Sequence, residues 1–319
     1  MVTAIAVESN LKRVLEAKKF AVTAECGPPK GADRKVIEEK AKLLKDWVDA
    51  VNVTDNQTAV TRMSSLAACG VLAGLGLEPV FQLTCRDRNR IALQSDILGA
   101  YALGIRNVLC LSGDHHSAGN HPQAKGVFDL DSMHLLTAAR GMRDEGLFLS
   151  GDKLDGERPA VFIGAVENPF APPYQFRPLR LKKKIEAGAE FIQTQIVYNV
   201  DRFREFMARA GDLGLLDRVF ILAGVSPIKT PGAARYMRDN VPGLDVPHEI
   251  VERMEAVGKG IEDKKARTDA WRQEGITICV ELIQQLREIK GLAGVHIMAI
   301  EWEEAVPQIV QLAGLRRPD

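Results

Sequence analysis

Cysteine is scarce and unpatterned in this chain. The five present (Cys26, Cys69, Cys85, Cys110 and Cys279) form no C-x-x-C pair and no Cys/His ligand spacing. An iron–sulfur cluster or structural zinc, if the function uses one, therefore belongs on another chain, and these thiols read as buried and free. Net charge is also missing. Lys+Arg and Asp+Glu both number 42, so no overall field draws the protein to nucleic acid or to an anionic membrane surface. No apolar run approaches the ~20 residues that span a bilayer. No G-x-G-x-x-G follows a strand-like stretch, which weakens a doubly wound dinucleotide fold. There is no low-complexity tract, linker or internal repeat. Met1 to Lys19 reads as an amphipathic helix with charges spread through it, helical over about 9–19, and not as a signal peptide. The expectation is a soluble cytoplasmic protein with no nucleic-acid partner and no membrane insertion.

What is present is alternation. The stretch Asn107-Val-Leu-Cys-Leu-Ser-Gly-Asp114-His-His116 begins as an unbroken apolar run, as a strand buried on both faces of a parallel sheet does, and ends in a carboxylate and two histidines. Similar strands are expected over 20–25, 51–55, 78–85, 159–166, 190–197, 218–225 and 294–301. Helices are expected over 33–47, 62–73, 88–103, 132–144, 200–210, 231–240, 276–289 and 303–313, with another after the loop 167–174. The polar stretch 247–273 reads as an extra helical segment before the last strand. Eight strand–helix alternations in 319 residues of 46% hydrophobic composition predict an α/β fold, a single (β/α)8 TIM barrel domain over 1–319.

A barrel gathers all its strand C-termini into one mouth, where such enzymes place their chemistry. The predicted ends are Glu25, Thr54 with Asp55, Gln82, Asp114, Ala165, Gln195, Ser226 and Glu301. Burial raises a carboxyl pKa, so Glu25 or Asp114 can serve as a general acid. Glu25 also reads as a capping or salt-bridge acid with Lys30 close in sequence, although the rigid turn Cys26-Gly27-Pro28-Pro29 favours the mouth. Asp114 also reads as an Asx-type turn residue after Ser112-Gly113. His115, His116 and His121 lack a third ligand at motif spacing and read as exposed loop residues, so no metal site is expected. Gln82 and Gln195 inside apolar strands need partners, which a pterin or flavin edge supplies. Lys182-Lys-Lys184 is a solvated helix face or a phosphate contact.

In order along the chain, Glu25-Cys-Gly-Pro28-Pro29, Val53-Thr54, Gln82-Leu-Thr-Cys85, Ser112-Gly-Asp114, and Lys183-Lys-Ile-Glu-Ala-Gly-Ala189 leading to Thr194-Gln195 resemble the 5,10-methylenetetrahydrofolate reductase family from Phe20 to Gly314. The resemblance implies an oxidoreductase barrel with a flavin cofactor, FMN or FAD, acting on methylenetetrahydrofolate in one-carbon metabolism. By that resemblance Glu25 is the general acid and Asp114 the carboxylate near flavin and pterin. Gln195 with Thr194 binds substrate. Thr54, Gln82, Ser112, Gly113, Asp114, Phe128, Asp129, Ala165, Asn168 and Lys184 bind the cofactor.

The periphery departs from the family. Gln82 stands where His is frequent and Ser112 where Arg is usual. Glu167-Asn-Pro-Phe-Ala-Pro-Pro173 replaces a loop with Tyr and His, and Arg177 and Arg180 replace Asp and Asn. Trp302 replaces an arginine, and Pro231 a stacking Phe. These changes leave open FMN against FAD and NAD(P)H against a separate iron–sulfur subunit as donor, with a homo- or hetero-oligomer expected. The variant is similar to the flavin subunit of reductases from anaerobes. Two other readings stand beside it: a pterin-binding methyltransferase barrel without flavin, and a non-catalytic barrel subunit of a redox complex.

Overall fold

The structure is a computed structural model that describes residues 6–315. Eight parallel strands close into a barrel in sequential order: β1 (Ala21–Cys26), β2 (Ala50–Val53), β3 (Pro79–Thr84), β4 (Asn107–Leu111), β5 (Phe162–Glu167), β6 (Phe191–Ile196), β7 (Phe220–Val225) and β8 (Leu292–Ile297). Nearly every strand residue is buried, because one face meets the barrel interior and the other the surrounding helices. The helices are α1 (Asn10–Glu16), α2 (Arg34–Leu44), α3 (Ser65–Gly74), α4 (Arg90–Ala102), α5 (Ser132–Arg140), α6 (Arg177–Ala187), α7 (Val200–Asp212), α8 (Pro231–Asn240), α9 (His248–Val257), α10 (Lys264–Arg287) and α11 (Ala305–Leu312). Among the described residues no helix is long and apolar enough to cross a membrane.

The barrel interior is layered by chemistry. Its bottom is apolar: Ala21, Ala50, Val80, Leu109, Phe162, Phe191 and Leu222 pack around Leu11 and Leu15 of α1, which plugs that end. The Phe162 and Phe191 rings stack at 4.8 Å, and a Cβ at Gly164 would lie 2.2 Å from the Phe191 ring, so only glycine admits that ring. The plug is held by charge. Glu78 accepts the Asn10 and Leu11 backbone N–H groups at 2.6 and 2.8 Å, a carboxylate at a helix N-terminus. Ser9 caps the same turn by accepting from Lys12 N and donates to Asn107 at 2.6 Å.

One step up, where such barrels usually stack branched apolar side chains, this one is polar. Asn52 and Gln193 exchange side-chain amide hydrogen bonds at 2.6 and 3.0 Å. Gln193 also donates to Thr23 at 3.3 Å, and Thr23 meets His296 Nδ1 at 2.9 Å. All four side chains are buried; paired this way, their burial carries no unsatisfied group.

Four expectations are refined at their boundaries. The extra helical segment before the last strand, expected over 247–273, is present as α9 and the first part of α10, which runs on for 24 residues through Gly275 into the helix expected over 276–289. The glycine is there for packing, since a Cβ at Gly275 would lie 1.7 Å from the Ile228 carbonyl oxygen. The N-terminal helix stops at Glu16, short of 19, because the chain turns at Lys18 with φ 55°; the part of that expectation over residues 1–5 lies outside the described residues. The last strand ends at Ile297, so Glu301 sits in a turn with φ 51°. The helix expected over 132–144 ends at Arg140 and passes into a wider turn over Gly141–Glu145.

Candidate active site

The C-terminal ends of the strands surround a cavity of about 810 Å³. The wall is largely aliphatic or aromatic on the β7–β8 side (Ile228, Tyr236, Met298, Trp302) and polar on the β1–β4 side. Glu25, Thr54, Gln82, Ser112, Gly113, Asp114, Lys184 and Gln195 line it. A side branch of about 420 Å³ runs between the ends of β5 and β6 toward α6 and adds Asn168 and Thr194.

Each polar group is positioned by its strand. On β1, Thr23 and Glu25 face inward two residues apart, and the Glu25 side chain is 19% exposed at the cavity floor. His296 Nε2 lies 3.8 Å from Glu25 Oε1. Thr23 Oγ1 bridges Gln193 Nε2 and His296 Nδ1, and the other ring nitrogen faces the Glu25 carboxyl group. The buried polar layer thus ends at Glu25. Asp114 follows β4; its Oδ2 accepts Thr58 N at 3.2 Å and otherwise faces the cavity. On β6, Gln195 accepts Ile196 N at 3.0 Å through Oε1, leaving its N–H groups for a ligand. The Gln82 amide has no side-chain partner among the described residues, and Thr54 Oγ1 is buried without one.

Lys184 is buried beneath the side branch, where it donates to Glu167 at 2.8 Å and to the Val166 carbonyl. Burial lowers the pKa of its ammonium despite the Glu167 carboxylate beside it. Lys182 and Lys183 are exposed, so the triple lysine divides between solvent and interior.

Ala165, Phe128 and Asp129 lie outside the cavity lining, and Thr194 and Asp55 are engaged by the protein itself. Ala165 is buried among the outer core residues beside Ile163, and Val166 takes its place at the cavity because side chains alternate along β5. Thr194 sits at the register shift between β6 and β7, where its hydroxyl donates to the Gln195 carbonyl and accepts Gly224 N. Asp129 is outside the cavity lining and pairs with Arg90 at 2.8 and 2.9 Å, hydrogen bonds that lower its pKa to about 2. Phe128, at φ 41°, packs against Gly126. Asp55 is at the mouth but is committed to Arg88 and to Thr84 N. Among the described residues no group of three or more His, Cys, Asp or Glu side chains forms a metal site. All five cysteines are buried and free, and burial raises the Cys26 and Cys279 thiols to about 12.

His296, Asn52 and Gln193 had no place among the expected site residues. The signal was the period of two in Gly294-Val-His296-Ile-Met298, which puts His296 on the face that Met298 shares.

The chain matches the family described as methylenetetrahydrofolate reductase over residues 10–314. It is 23% identical to the probable methylenetetrahydrofolate reductase (NADPH) of Caenorhabditis elegans over 97% of this chain and 44% of that protein. It is also 23% identical to the 5,10-methylenetetrahydrofolate reductase of Escherichia coli over 77% of this chain and 74% of that one. The chain thus spans less than half the length of the animal relative. Among solved structures it resembles an uncharacterized Clostridium thermocellum protein, described as binding two copies of 5-methyl-5,6,7,8-tetrahydrofolic acid. The TM-score is 0.62 at 14% identity, covering 96% of this chain and 99% of that one. A match across nearly all of the barrel, reached from both the motif order and the fold, places this chain in the methylenetetrahydrofolate reductase family.

Proposed function

We propose that the chain reduces 5,10-methylenetetrahydrofolate to 5-methyltetrahydrofolate with electrons from a bound flavin. The observation that carries the reading is the arrangement of Glu25, Asp114 and Gln195 around one cavity, with the Glu25 carboxyl at the end of a buried polar string. The lining suits a flavin. The orphaned Thr54 hydroxyl and the unpartnered Gln82 amide offer hydrogen bonds to a ring edge, and Leu111, Val166 and Met298 offer apolar surface to its faces. When bound, the flavin supplies the hydride, replenished by NAD(P)H or by an iron–sulfur partner chain.

The residues of this chain do the rest. Gln195 donates to the pterin edge and fixes its plane. Glu25 holds a proton toward the folate amine and releases it as the methylene bridge opens to the iminium. The Asp114 carboxylate, oriented by the Thr58 amide, places negative charge where it stabilises that cation. The His296 ring, fixed by Thr23, limits the orientations open to the Glu25 carboxyl group.

The test begins with an absorption spectrum of the purified chain, followed by reoxidation of the reduced protein with methylenetetrahydrofolate. The expected results are a flavin spectrum and rapid reoxidation that Glu25→Gln slows by about 10²-fold or more, the flavin remaining bound. A chain that takes up neither FMN nor FAD, or a Glu25→Gln protein with full turnover, refutes the reading.

A further inference from the structure

The Asp114 carboxyl group belongs to a turn, and one buried side chain ties that turn to the loop facing it. After β2 the chain enters the left-handed region at Asn56, Thr58 and Ala59, with φ 47°, 53° and 55°. Such backbone is unfavourable for residues with a Cβ, above all for β-branched Thr58, and persists only where its surroundings over-determine it. The loop after β4 crosses it backbone on backbone: a Cβ at Gly119 would lie 1.8 Å from the Ala59 carbonyl oxygen, and Thr61 N donates to Asn120 Oδ1 at 3.2 Å. Arg86, just past the end of β3, stands between the two loops and is only 2% exposed. Its Nη1 donates to the Asp114 carbonyl at 3.3 Å and its Nη2 to the Asn56 carbonyl at 3.2 Å. Its own carbonyl accepts Val127 N at 2.7 Å, at the far end of the β4 loop.

Asp87 accepts from Arg86 Nε and Nη2 at 2.8 and 2.7 Å, which fixes the guanidinium plane and compensates its charge. A cation paired in this way supplies geometry, not a field. By holding the Asn56 and Asp114 carbonyls on one rigid fork, it sets the separation of Thr58 N from Asp114 Oδ2, the 3.2 Å hydrogen bond that orients the carboxylate. The turn also rests on the stem of Arg86. Gly113 has φ 89°, and a Cβ there would lie 3.1 Å from Arg86 Cβ and 3.2 Å from Thr84 Cβ.

We propose that Arg86 is a positioning residue for folate reduction: it clamps the loops after β2 and β4 together, so that the Asp114 carboxylate stands where the iminium forms. The inference rests on the flavin reading above and on the role it gives Asp114. A reacting or stabilising group displaced by about 1 Å costs about 10²-fold in rate. Lysine cannot replace the fork, because a single ammonium does not span two loop carbonyls and both Asp87 oxygens at once. It does keep a positive charge beside Asp87, so Arg86→Lys removes the clamp without stranding that carboxylate.

The test follows reoxidation of the reduced, flavin-loaded chain by methylenetetrahydrofolate and, separately, by the quinone menadione. The proteins compared are the native chain, Arg86→Lys, Asp114→Asn and the double variant. Arg86→Lys should slow the folate reaction about tenfold, part of the full cost of misplacement. It should leave the menadione reaction within about twofold of native, which also shows that the variant is folded and holds its flavin. In the Asp114→Asn background the same exchange should change the folate rate by less than about twofold, because the group it positions has already lost its charge. A merely structural role would slow both acceptors and would act equally in both backgrounds. A full folate rate in Arg86→Lys, a tenfold loss that persists with Asn at position 114, or equal slowing with menadione overturns the inference while the flavin reading stands. A shift in the flavin reduction potential that accounts for the slower rate would mean that Arg86 acts on the flavin directly, and the inference also fails. If the native chain binds no flavin, the flavin reading and the inference fall together.

Discussion

Replacing Gln193 by Met tests the polar layer beneath the site. The two side chains are close in volume, so the packing change is small. What changes is pairing: Asn52, fully buried, loses the acceptor for its N–H at 2.6 Å and the donor to its carbonyl at 3.0 Å. A buried group left without a partner costs about 1–3 kcal/mol, so two such groups predict a loss of about 2–6 kcal/mol. Thr23 keeps His296 and contributes little. Asn52→Leu alone strands only the Gln193 carbonyl, because its N–H still reaches Thr23, for about 1–3 kcal/mol. The double variant removes both partners of the pair, so its loss should fall well below the sum of the two single losses, with a coupling energy of about 2 kcal/mol. Urea unfolding followed by far-ultraviolet circular dichroism measures all three. If Gln193→Met loses less than about 0.5 kcal/mol, or if the two substitutions add, the layer is not a hydrogen-bonded unit and the reasoning fails.

Three further outcomes are expected. Asp114→Asn should slow folate-dependent reoxidation by about 10²-fold while flavin affinity changes much less; equal losses in both would make Asp114 a structural turn residue. Gly275→Ala should lower stability by at least about 2 kcal/mol, since the added Cβ meets the Ile228 carbonyl, and an unchanged melting temperature would contradict the close approach. Unfolding free energy should fall as pH rises from about 9 toward 12, because Cys26 and Cys279 ionise near 9 when unfolded and near 12 when folded. Raised folded-state values mean that this stability is complete below pH 9 and is lost above it, by up to ~1.4 kcal/mol per thiol per pH unit. Cys279→Ala should flatten the slope by one thiol's share.

The barrel was legible because buried parallel strands are near-continuous apolar runs, and eight of them alternate with amphipathic stretches. Glu25, Gln82, Asp114 and Gln195 could be placed at the mouth because each closes such a run. Position along a strand was harder to read than the existence of the strand. Ala165 and Val166 are both small and apolar, and only the strand's phase decides which one faces the cavity. His296 was not legible as a site residue because the inward phase of β8 is set by its end at Ile297, and a strand continued to Glu301 places a different residue at the mouth. The continuity of α10 through Gly275 was not legible, because local propensity carries no trace of the Ile228 carbonyl passing beside it. Phe128 and Asp129 came from family resemblance alone, and no strand of this chain holds them at the mouth.

The plug formed by α1 makes the barrel a cup and not a tube. Leu11 and Leu15 close the bottom, and the polar layer lies between them and the cavity. A molecule resting on the floor near Glu25 therefore leaves by the way it came, past anything bound nearer the rim. Two ligands that need the floor must take turns, and the rim residues set the order of traffic for both.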